Sequence, residues 1–132
     1  MEELGRNLYV TILSCLGQSD EAKCREIVDG IVEKLQMQTD GIHASLYHFP
    51  AFEMGGEGYT YFQPIVTSFI AGDKWTFKNG DHGIHFIITS CIPYDVTDLL
   101  GIVEVHDLKL MDMNVVVNKM DNGIKKMVEE VW

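Results

Sequence analysis

Apolar and polar residues alternate from Asn7 to Cys15, which predicts a strand with Leu8, Val10 and Ile12 on one face and Tyr9, Thr11 and Leu13 on the other. The period then changes. After Gly17-Gln18-Ser19, the residues Ile27, Val28, Ile31, Val32 and Leu35 recur at helical spacing, one turn beyond Cys24. This predicts an amphipathic helix over residues 19–37, capped by Ser19, with Asp20 and Glu21 complementing the dipole of its first turn. Alternation returns from Gly41 to Phe49, with Ile42, Ala44, Leu46 and His48 on one face of a second strand. A glycine-rich loop follows. Two more runs, Tyr59 to Ala71 and Ile84 to Cys91, are β-branched and aromatic and flank a polar Gly/Asp/Asn excursion. Each run predicts one strand. Pro64 donates no ladder bond, so an edge position or a bulge is expected there.

Asp95, with Asp98 three residues on, predicts the cap of a shorter helix whose apolar side is Leu99, Leu100 and Val103. Met113 to Val117 reads as the last strand. Ile124, Met127, Val128 and Val131 share one face of a final helix capped by Asp121. The predicted order is β-α-β-β-β-α-β-α over a single domain, residues 1–132. The fold class is α/β in its α+β form: a two-layer sandwich, its mainly antiparallel sheet carrying the helices on one face. The opposite face, carrying Tyr9, Leu13 and Tyr47, is too apolar for water in a chain of 132 residues, which predicts a homo-oligomer, a dimer.

Composition narrows the partners. The formal net charge is −10, which disfavours nucleic acid and anionic membranes and suits a small cation. No apolar run reaches a membrane span, and the first residues do not read as a secretory leader. The three cysteines, Cys15, Cys24 and Cys91, are too few and scattered for a disulfide framework, so reduced thiols and a cytoplasmic location are expected. There is no C-x-x-C pair, and no metal site is expected: Asp81, His82 and His85 lie in one stretch, but strand residues three apart point to opposite faces.

Candidate chemistry concentrates between Tyr59 and Cys91, and there the residues match a pattern. Leu4-Gly5-Arg6-Asn7-Leu8 looks like an L-G-R-H-L strand start, and Ser45 to Phe49 like a following strand. Thr67-Ser68 falls where a Glu-Ser processing site would stand, Trp75 stands at the distance of a W-P-E tryptophan, and Ile88 to Cys91 looks like an L-F-T-C strand. On these residues the chain resembles the small prokaryotic type of S-adenosylmethionine decarboxylase, a pyruvoyl enzyme of polyamine synthesis.

The resemblance implies that Ser68 is the precursor of a pyruvoyl cofactor. Its hydroxyl attacks the preceding carbonyl, the ester eliminates, and the new ketone serves as an electron sink. It implies that Cys91 is a proton donor and that Thr60 is a hydroxyl assisting the cleavage. Asp73 stands where the family has a helper histidine, Thr67 where it has a glutamate, and Thr76-Phe77 where it has Pro-Glu. The ligand expected from the resemblance is S-adenosylmethionine or a relative, with Trp75, Phe77, Asp81, His82 and His85 as candidate binding residues. His82 or His85 could supply the missing imidazole. Cleavage at Thr67-Ser68 is expected to be slow or absent. Two other readings stay open: an uncleaved, non-catalytic binding or assembly module, and a different reaction on S-adenosylmethionine with Asp73, Asp81 or Glu104 as base.

Overall fold

The computed structural model of the chain describes residues 7–51, 56–77, 79–121 and 124–131, with side chains through residue 118. The elements are β1 (Asn7–Leu16), α1 (Glu21–Lys34), β2 (Ser45–Phe49), β3 (Gly58–Ile65), β4 (Ser68–Thr76), β5 (His82–Ser90), α2 (Thr97–Val105), β6 (Lys109–Asp121) and β7 (Ile124–Val131). The strands form one sheet in the order β2-β3-β4-β5-β1-β6-β7, every neighbour antiparallel. Both helices pack on one face of this sheet, giving the α+β two-layer arrangement that the pattern predicts. Among the described residues no helix is long and apolar enough to cross a membrane.

Alternation in the strands sorts the side chains between the layers. Leu13 pairs with Phe86 and Met113, and Cys15 with Ile84. All five are 2% exposed or less and meet Cys24, Ile27, Val28 and Ile31 of α1 and Leu99 and Val103 of α2. The helix α1 approaches most closely at Gly72, where a Cβ would lie 2.5 Å from Cys24 Sγ. Only glycine lets α1 settle that deeply on β4. Asp20 caps α1 by accepting from the Lys23 N–H at 2.8 Å. Ser19, the expected cap, has its hydroxyl 3.2 Å from the Tyr59 hydroxyl instead. Asp95 accepts from the N–H and the hydroxyl of Thr97 at the start of α2.

Three expectations change. The run from Tyr59 to Ala71 is two strands, not one. Val66-Thr67 reverses the chain so that Ile65 pairs with Ser68, and β4 continues through the polar excursion to Thr76. Valine and threonine carry no local turn signal; the reversal is held from outside, by the Val66 N–H on the Gln38 carbonyl at 2.7 Å. The final helix is also a strand. β7 pairs with β6 from Asn114↔Val131 to Asp121↔Ile124, because the ladder satisfies backbone groups that an unpaired β6 edge would expose. The element order is therefore β-α-β-β-β-β-α-β-β. Third, Leu13 does not lie on the open face: it is 1% exposed beneath the helices. Tyr9, in the same alternation and paired with the buried Ser90, also faces the helix side. The open face carries Leu8, Val10 and Ile12 of β1, and on β2 the 67% exposed Tyr47. Pro64 lies beyond the last β2–β3 pair, Ser45↔Phe62, where β3 has no outer strand partner among the described residues, as proline requires.

Candidate functional site

Residues directly opposite one another in an antiparallel sheet share a face. On the open face, register places Thr60 beside Asp73, and Asp73 beside His85. The Thr60 hydroxyl donates to Asp73 Oδ1 at 3.0 Å, fixing the carboxylate. Two residues along β4 on the same face, Trp75 stands opposite Gly83. Its indole lies flat over that glycine, where a Cβ would sit 2.5 Å from the ring. The indole also contacts the His85 ring, with centroids 4.6 Å apart, and Phe77 edge-on at 5.4 Å. Thr60, Asp73, Trp75, Phe77 and His85 thus form one patch, a carboxylate beside aromatic rings in tilted and edge-on contact. Such a patch can stack a planar group and hold a positive charge.

Asp81 and His82 do not join it. Asp81 closes the β4–β5 turn: its N–H donates to Asn79 Oδ1 at 3.0 Å, its carboxylate accepts from Asn79 Nδ2 at 3.1 Å, and its carbonyl accepts from the Phe77 N–H at 2.8 Å. His82 is an odd number of residues from His85 and points to the other face, with a buried Nδ1 that has no hydrogen-bond partner among the described residues. No group of three or more His, Cys, Asp or Glu side chains among the described residues could hold a metal ion.

Ser68 and Cys91 lie at the far end of β4 and β5. Ser68 opens β4 directly after the Val66-Thr67 reversal. The Thr67 carbonyl, which the Ser68 hydroxyl would attack, accepts from the Cys91 N–H at 3.2 Å. Around it is a knot of neutral hydroxyls. Thr89 Oγ1 hydrogen-bonds Ser68 Oγ and accepts from the Phe69 N–H at 3.1 Å, while Thr67 and Ser90 share a bond of 2.8 Å. No carboxylate, imidazole or ammonium group hydrogen-bonds to Ser68 among the described residues. Asp73 is five residues along the strand, roughly 17 Å away at ~3.4 Å per residue, and on the opposite face. Thr60 and His85 flank Asp73 and are equally remote. Trp75 is farther still. The expected set is therefore two groups at opposite ends of the sheet, not one site.

Sequence reasoning did not single out Thr89 and Ser90, which flank Ser68 and Thr67 across the ladder. The signal was there: they directly precede Cys91, and pairing Ser68 with Ser90 follows once a hairpin is placed at residues 77–81. Of two concavities, only the first adjoins these groups. One, about 220 Å³, opens beside Thr67 and Ser90 and is closed by Tyr94. The Tyr94 hydroxyl donates to the Ile88 carbonyl at 3.0 Å and lies 2.9 Å from the Thr11 hydroxyl; burial pushes its pKa up to about 12. The other, a wider cleft of about 630 Å³, runs between the start of α1, β2 and β3. It holds Asp20, Glu57, Lys74 and an exposed His48–Glu21 pair at 3.0 Å. No protein-family model, no curated protein and no solved structure matches this chain.

Proposed function

We propose that the chain is an S-adenosylmethionine decarboxylase-like protein that stays uncleaved and binds S-adenosylmethionine, or a related small cation, on the open face of its sheet. The observation that carries this reading is the Trp75 indole packed at a tilt against His85, with Asp73 in register beside it. A purine finds an aromatic surface there. A sulfonium finds a carboxylate that Thr60 has already oriented, on a chain of net charge −10. Support for the decarboxylase likeness comes from the other end, where the Cys91 N–H reaches the Thr67 carbonyl next to Ser68.

The residues around Ser68 do not fit formation of a pyruvoyl group. The N–H of Cys91 polarises the carbonyl, but the serine hydroxyl accepts from the neutral Thr89 hydroxyl and has no base among the described residues to take its proton. Losing a positioned helper of this kind costs roughly 100–1000-fold in rate. The Ser68 hydroxyl and Cys91 therefore remain ordinary side chains in an intact chain.

Two measurements test the reading together. Denaturing mass spectrometry is expected to give one intact chain, and calorimetry with S-adenosylmethionine a saturable heat. Asp73→Asn is expected to weaken binding by about tenfold or more, the value of a charge-assisted contact. Fragments meeting at residue 68 would restore the processed decarboxylase. No heat at millimolar ligand would remove the ligand from the reading. A reaction other than decarboxylation has one observation in its favour, the Asp73 carboxylate held by Thr60 as a base would be; product analysis after incubation with S-adenosylmethionine distinguishes it.

A further inference from the structure

The cavity beside Thr67 and Ser90 is walled by three separate segments: residues 35–38 after α1, the β3–β4 reversal at Val66-Thr67, and Ser90 to Tyr94 after β5. Each wall is fixed by backbone bonds. The Met37 N–H donates to the Val32 carbonyl at 2.9 Å, the Val66 N–H to Gln38 at 2.7 Å and the Cys91 N–H to Thr67 at 3.2 Å. The space is thus built into the fold and does not depend on a side chain moving aside.

Its chemistry is unusual for this protein. On a chain with 20 acidic residues, the cavity lining includes no Asp, Glu, Lys, Arg or His among the described residues. The phenol of Tyr94, lifted to about 12, stays neutral as well. A charged ligand entering would lose hydration and gain no counter-charge. The apolar walls, Leu35, Met37, Val66, Ile92 and Pro93, suit the faces of a ring. Hydrogen-bonding capacity lies at the edges. Thr67 and Ser90 share one hydroxyl hydrogen between them and retain the other. Gln36 and Gln38, both exposed, have no side-chain hydrogen bond among the described residues, so each amide offers a donor and an acceptor side by side. An amide of that kind matches the adjacent donor and acceptor on a base edge. A volume of about 220 Å³ is below that of drug-sized sites, so it takes a ring system and not a nucleotide.

We propose that this cavity binds a neutral planar heterocycle of nucleobase size. The inference is independent of S-adenosylmethionine binding on the open face, which involves different residues at the other end of the sheet. Titration of free adenine into the full chain, followed by NMR of the Met37, Val66 and Ile92 methyl groups, tests it. Saturable shifts at these three methyls are expected at sub-millimolar adenine, with adenosine monophosphate at least tenfold weaker because of its charge. Two filling variants at exposed positions on opposite walls, Val66→Trp and Ile92→Trp, are each expected to abolish the response. Gln38→Leu is expected to weaken it several-fold. Absence of saturable shifts up to several millimolar adenine, or shifts that persist in both filling variants, overturns the proposal. A protein that binds adenine here but gives no heat with S-adenosylmethionine keeps this site and loses only the open-face reading.

Discussion

Single residues on this scaffold are tuned mainly by burial. Cys15 and Cys24 both lie in the core, and desolvation pushes their thiols up to about 11 and about 12 from an ordinary value of 9.0. Tyr59 and Tyr61 are raised by desolvation too, Tyr59 although the Ser19 hydroxyl partly offsets it. These shifts fix the sign of a pH effect. Below pH 9 the thiols are protonated in both the folded and the unfolded chain, and the shifts cost nothing. Between pH 9 and about 11–12 the unfolded chain releases the thiol protons that the folded chain still holds, so stability falls as pH rises. Urea midpoints are expected to be level from pH 7 to 8.5 and to drop steadily above 9, less steeply in Cys24→Ala. A midpoint unchanged up to pH 10.5 would contradict the burial of both thiols. The exposed Asp95 shifts the other way: its two hydrogen bonds from Thr97 hold its carboxyl below the ordinary range. Whatever it adds to stability is lost only as pH falls through that lowered value.

At the scale of elements, legibility followed the range of the deciding interaction. The helix α1 was visible because its period is local, and the residues that define it, Ile27, Val28 and Ile31, are the ones buried. Ile31→Ala is expected to lower stability by ~2–5 kcal/mol, read as a shifted urea midpoint at constant slope. The Val66-Thr67 reversal was not visible, because its anchor is the Gln38 carbonyl from a distant loop. The last element was misread for a related reason: Ile124, Met127, Val128 and Val131 satisfy a helical period, and only the β6 ladder selects the strand. The first of these misreadings explains what happened to the candidate site. Read as one long strand, Tyr59 to Ala71 hides the hairpin that sets Thr60 opposite Asp73. It also hides the distance from Asp73 to Ser68, because β4 starts only at Ser68 and runs straight to Thr76. The consequence is specific. An imidazole introduced at residue 73 is roughly 17 Å from the Thr67-Ser68 peptide. Asp73→His is therefore expected to leave the chain intact on prolonged incubation, as seen by mass spectrometry. Cleavage in that variant would show that the β4 register is wrong.

For the whole molecule, the asymmetry of the two layers is the dominant fact. One face of the sheet is covered by two helices, while the other shows Leu8 at 37% exposure, Phe62 at 39% and Tyr47 at 67%, with Phe69 stacked on Phe62 at 5.2 Å. Seven strands at ~4.8 Å spacing make this face roughly 29 Å across, and the five strands of eight to ten residues make it about as long over most of that width. The whole face is thus of the order of the ~800 Å² per partner of a stable protein interface, and its apolar half supplies about half of that. We predict that a second copy of the chain occupies it. A two-fold pairing lays the apolar half, Val10, Ile12, Phe62, Phe69 and Ile87, against itself. It leaves the row containing Thr60, Asp73, His85 and Asp112 at the rim, with water and ligand access. The charge makes the prediction distinctive. Two chains of net charge −10 repel at long range, and salt screens that repulsion over ~8–10 Å while leaving apolar burial intact. We therefore expect a dimer whose affinity rises with salt, the reverse of an association driven by ion pairs. Sedimentation equilibrium at 20 and 300 mM salt reads this directly. Phe62→Asp, placing a carboxylate within the apolar half, is expected to give monomer at micromolar concentration with the melting transition of the fold retained. A monomer at both salt concentrations, or a dimer indifferent to Phe62→Asp, would mean that another surface or another partner covers the sheet.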